Sequence, residues 1–174
     1  MAGAYDWNES DQLKHWAADK PIDIEVAGIP LSVVAVLEPG NSGGVMVLRK
    51  SDSSYCFINS WVWSFGGNGV DIDVAALAPT PDRTSVVIVL KAEGHIHHGV
   101  TPESYGSDGR SLVALVADPN RVTVAFQIDS TAPGAYASWP EKVILVEEGG
   151  AMILKYKRKV WKLAGNRKFL PFKP

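Results

Sequence analysis

A chain of 174 residues with 46% hydrophobic and 21% charged side chains can bury roughly 70% of its unfolded surface in one domain, and its apolar content excludes wholesale disorder. A net charge of −2 excludes a global attraction to nucleic acid, and a single cysteine, Cys56, excludes an intrachain disulfide. No basic stretch precedes an apolar run at the start, and nothing approaches the roughly 20 apolar residues of a membrane helix. The expectation is a soluble protein with no membrane partner, intracellular or part of an assembled particle.

In chain order, residues 1–20 place Leu13, Trp16 and Ala17 at helical spacing, with Asn8 or Ser10 able to cap a short helix that Pro21 ends. From Ile22 the pattern turns to β. Ile22, Ile24 and Val26 alternate with acids, and apolar runs follow at 31–37, 45–50, 55–65 and 70–77, separated by Gly, Asn, Asp, Ser and Pro clusters that mark turns. Residues 84–92 form a nearly continuous β-branched run, which suits a strand covered on both faces. After the irregular stretch 93–110, strands are expected at 112–117 and 122–128. A final hairpin is expected from 142–146 and 151–160 about the Gly149-Gly150 turn.

This predicts an all-β fold: an antiparallel β-sandwich or jelly roll of about nine strands, with a closed barrel as the alternative and at most one short N-terminal helix. The reading is a single domain, with an N-terminal segment (1–20), a β core (21–160) and a basic aromatic tail (161–174).

Three constellations carry chemistry. On an extended strand Glu93, His95 and His97 share a face, with neighbours about 6.8 Å apart, so two imidazoles could converge on one metal ion at about 2.0 Å. A third ligand would have to come from another strand or loop, and Glu103, Asp108, Asp71, Asp73, His15 and Cys56 are all chemically eligible. His95 and His97 followed by Glu103 resemble the first metal motif of the cupin family, a β-barrel group, although the gap from His97 to Glu103 is longer than in that family and no later histidine follows. The resemblance implies a divalent metal held by His95, His97 and Glu103; no other cofactor is expected. Gly40 to Gly44, read as a turn, resembles the nucleophile loop of chymotrypsin-like serine proteases and would make Ser42 a nucleophile, but that family places its histidine and aspartate well upstream on a separate barrel, whereas here only 41 residues precede Ser42 and His15 is the only histidine among them. Asp71 and Asp73 share a strand face, too few for a calcium site and better read as a solvent face.

The second constellation is Tyr55, Phe57, Trp61, Trp63 and Phe65, all at odd positions, which predicts one almost wholly aromatic strand face. It would line the core, or serve as an interface or a stacking platform for sugars or bases. The third is the basic end. Lys155, Lys157, Arg158, Lys159, Lys162, Arg167, Lys168 and Lys173 lie in a stretch without acids, read either as a lysine-protected edge strand with its tail or as a contact for an anionic partner, nucleic acid included. No complete catalytic set is present. The functional expectation is a non-enzymatic, self-assembling, coat-like structural subunit forming a homo-oligomer. The alternatives are a carbohydrate- or small-ligand-binding module and a metal-dependent enzyme using the His95/His97 loop.

Overall fold

The computed structural model describes residues 21–38, 42–51, 54–64, 69–95, 108–132 and 142–173. Twelve strands follow one another: β1 (Ile22–Val26), β2 (Ile29–Glu38), β3 (Ser42–Ser51), β4 (Ser54–Ser64), β5 (Gly69–Pro79), β6 (Val86–His95), β7 (Asp108–Asp118), β8 (Arg121–Ala132), β9 (Ile144–Glu148), β10 (Ala151–Tyr156), β11 (Lys159–Leu163) and β12 (Phe169–Pro171). They form three four-stranded sheets, in the orders β1-β2-β3-β4, β5-β6-β7-β8 and β12-β11-β10-β9. Every pairing is antiparallel.

Each sheet is a meander cut from one stretch of chain, so no strand crosses over between sheets. The fold is all-β and sandwich-like, with no closed barrel among the described residues. The sequential strand order also lacks the Greek-key crossings of a jelly roll. The first sheet, β1–β4, and the third, β9–β12, lie on opposite faces of the central sheet, β5–β8. Alternation in β6 and β7 explains why. Val86, Ile88, Leu90, Val113, Leu115 and Ala117 pack against Val26, Leu31, Val33, Val45 and Val47 of the first sheet. The opposite parity, Val87, Val89, Leu112, Ala114 and Val116, packs against Met152, Leu154, Tyr156, Trp161 and Phe169 of the third.

A strand with solvent on one face must alternate apolar with polar residues; over Val86–Leu90 and Leu112–Ala117 these two do not, because there neither parity reaches water. Each such buried side chain contributes about 1.5–3 kcal/mol. The arrangement has three layers where two sheets were expected, and twelve strands where about nine were.

The extra strands arise at the C-terminal end. The expected strand 151–160 divides into β10 and β11 at Lys157, whose φ of 56° turns the chain. β10 therefore lies between β9 and β11, so it is an inner strand and not the expected lysine-protected edge. Residues 161–171, expected as a tail, complete β11 and supply β12. Gly149 and Gly150 turn the β9–β10 hairpin with φ of 56° and 72°, as their place in the sequence predicts. The expected turn at 38–44 ends earlier: Ser42 to Gly44 already pair with both β2 and β4. Gly44 is needed there, because a Cβ at that position would lie 2.0 Å from the Trp61 carbonyl oxygen.

Polar ties join the layers. Arg49 Nη2 donates to the Pro119 carbonyl at 3.0 Å, linking the first sheet to the β7–β8 turn. Arg167 Nη2 donates to Asp118 and, at 2.9 Å, to Ser85 Oγ, clamping the loop before β12 onto the central sheet. Burial alone would raise the Asp118 carboxyl. The Asn120 N–H, the Arg167 guanidinium and the Arg121 N–H more than offset that and hold it below the usual carboxylate range.

Candidate functional site

β4 does not present one aromatic face. Its pairing with β3 shifts between Val47 and Leu48, so that Val47 stands opposite Asn59 while Leu48 stands opposite Phe57. Ile58 is the extra residue of a β-bulge, and parity reverses across it. Trp61 turns inward and packs with Ile58 against the core shared with the central sheet. Tyr55 and Phe57 turn outward instead, where Tyr55 packs on a small buried cluster of Val34, Val36 and Leu48. Trp63 continues the strand beyond Trp61, and Phe65 lies outside the described residues. The odd-numbered stripe is thus divided between the two faces of the first sheet.

The bulge also brings Val62, an even-numbered residue absent from the expected stripe, to the same outward face as Phe57. These two are 48% and 45% exposed, and they make β4 the most open apolar stretch of the first sheet. No residue of its sequence SYCFINSWVWS carries a charge. At the bulge, the Ser60 N–H donates to Asn59 Oδ1 at 2.8 Å. Asn59 is the one sequence signal that could have located the break, since asparagine is poorly suited to a strand interior.

At one end of the central sheet, the face turned toward the third sheet becomes polar. Asp71, Asp73, Lys91 and Glu93 line a cleft of about 300 Å³ there. Arg110, opposite Glu93 in register, donates to Glu93 Oε1 through Nε at 2.8 Å and Nη2 at 2.7 Å. This largely buried pair occupies the carboxylate that sequence spacing had grouped with the histidines. His95 closes β6, while His97 and Glu103 lie outside the described residues. Among the described residues no group of three His, Cys, Asp or Glu side chains is placed to hold a metal ion.

The basic end is committed largely to its own fold. Lys155 pairs with Glu148, Arg167 with Asp118, and Lys168 Nζ donates to the Val124 carbonyl at 2.7 Å. The Lys157 and Lys162 ammonium groups sit 5.3 and 5.7 Å from the Tyr156 and Phe172 ring centroids. Arg158 and Lys159 are exposed at the β10–β11 turn. Of the four aromatics that alternate with these cations, Tyr156, Trp161 and Phe169 are buried in the core, whereas Phe172 is 37% exposed.

By fold the protein is an antiparallel, sandwich-like β protein, and its strand β4 is an uncharged sheet edge among the described residues. Compared with known proteins, the chain matches no family model, no curated protein and no solved structure. No helix among the described residues is long and apolar enough to cross a membrane.

Proposed function

We propose that the protein is a self-assembling, coat-like structural subunit, a non-enzymatic β domain that works by associating with copies of itself. The observation that supports this reading is β4: eleven residues without a charge, carrying Phe57 and Val62 nearly half exposed. Exposed apolar side chains grouped on one strand gain free energy when a second surface covers them, at about 25 cal/mol per Å² of apolar area removed from water. A catalytic reading would need converging reactive groups. In the polar cleft, the Glu93 carboxylate is instead held by Arg110.

Light scattering over a concentration series tests the proposal. An oligomer with a defined mass is expected, and a monomer at the highest concentration reached would overturn it.

A further inference from the structure

Six strands bound the three sheets: β1, β4, β5, β8, β9 and β12. Free sheet edges offer unpaired N–H and C=O groups to any passing strand, and proteins blunt them with shortness, charge, proline or bulges. Five of the six carry a charge or a proline within the strand. β1 has five residues and carries Asp23 and Glu25, and β9 has five and carries Glu147 and Glu148. β12 has three residues and ends in Pro171. β5 carries Asp71, Asp73, Pro79 and a bulge at Ala75, and β8 carries Arg121, Asp129 and a bulge at Ala125. β4 runs for eleven residues with neither charge nor proline, and its one irregularity is the Ile58 bulge. Among the described residues it pairs with β3 alone.

We propose that β4 pairs edge to edge, antiparallel, with β4 of a second copy, so that the first sheets of two subunits become one continuous sheet. The proposal rests on the self-assembly reading above and specifies its contact. A second copy is the partner this edge fits, because an antiparallel two-fold contact sets residue i of one strand against j of the other and j against i, and a strand without a charge can pair in this way without bringing an ion into the junction. β1 and β9 would carry their acids into such a junction. β4 sets serine, asparagine and apolar residues against the same set, and the exposed Phe57 and Val62 gain apolar neighbours across the junction. Such a contact is isologous and closes on itself, so the dimer is the unit from which any larger assembly grows.

The test compares wild type, Val62→Lys and, as a control on the third sheet, Leu170→Lys, another exposed apolar position. Each is measured for mass by light scattering, for melting temperature, and for amide hydrogen exchange along β4. Expected are a dimer for wild type and for Leu170→Lys, a monomer for Val62→Lys with its melting temperature in dilute solution unchanged, and slower exchange of β4 amides in the dimer. Phe57→Lys serves as a second variant and should also give a monomer. An oligomer that survives both β4 variants with unaltered β4 exchange overturns the edge pairing while leaving self-assembly intact. A wild-type monomer overturns both.

Discussion

The two outer sheets meet the same central sheet with different chemistry. The first presents long strands of valine and leucine, a broad aliphatic surface against Ile88, Leu90 and Leu115. The third has strands of three to six residues and relies on rings and on one polar clamp. Phe126 of the central sheet meets Trp161 edge-on at 4.7 Å between centroids and Phe169 at 6.5 Å. Aromatic residues bury large area each, so a small sheet can close a wide face with few of them. Outside, the contrast reverses. The third sheet's cations are largely held within the subunit, whereas the first sheet ends in an uncharged edge. The third sheet covers one face of the central sheet, and the first carries the uncharged edge on which the proposed self-association rests.

The largest effect should come from breaking the ring-based seal. Trp161→Ala is expected to cost about 4 kcal/mol in urea denaturation, because few neighbours can collapse into the space the indole leaves. A cost no greater than that of Val47→Ala on the aliphatic side would remove the asymmetry between the two interfaces. Next is Gly44→Ala in the first sheet, where the added methyl group meets the Trp61 carbonyl and the β3–β4 pairing must open. A loss of about 3 kcal/mol is expected by the same measurement.

Arg167→Ala tests the clamp of the third sheet. It leaves the partly buried Asp118 without its guanidinium and should cost about 2 kcal/mol. The same pair imposes a pH dependence. Because Asp118 is held below its ordinary range when folded, its contribution is fully present above about pH 4 and is lost as the pH falls through the lowered value. Urea midpoints measured from neutral to acid pH should therefore fall less steeply in Asp118→Asn than in wild type, and an unchanged acid slope would contradict this. The smallest change in stability belongs to Val62→Lys, within about 0.5 kcal/mol for a surface position in the monomer, even though its effect on association should be complete.

Much of the fold is legible in residue patterns because the physics there is local. The run from Val86 to Ala92 shows a strand with two buried faces, and Gly149-Gly150 shows its hairpin. What the patterns hide is set by long-range contact. Lys157 adopts a positive φ that nothing in its type favours, so the β10–β11 turn carries no glycine or asparagine to mark it. The number of layers depends on which buried run meets which, and periodicity does not record that. At the candidate site, the aromatic strand was visible, but its division between two faces was not, because one inserted residue, Ile58, reverses every position after it. The interleaved aromatics of the basic end look alike in sequence whether they are buried or open; pairing with β9 and β12 decides it.

The order of the three meanders along the chain has a consequence for the protein during its synthesis. Sheets leave the ribosome one at a time, first, central, third, and each can pair its own strands without waiting for later sequence. The central sheet nevertheless emerges with one face covered and the other, Val87, Val89, Leu112, Ala114 and Val116, without its partner residues until Val143 to Phe169 have been made. A nascent chain paused before residue 142 would carry that greasy sheet into a crowded cell. The third meander acts as the cover of that face, and truncation before residue 142 is expected to leave it exposed and prone to aggregate.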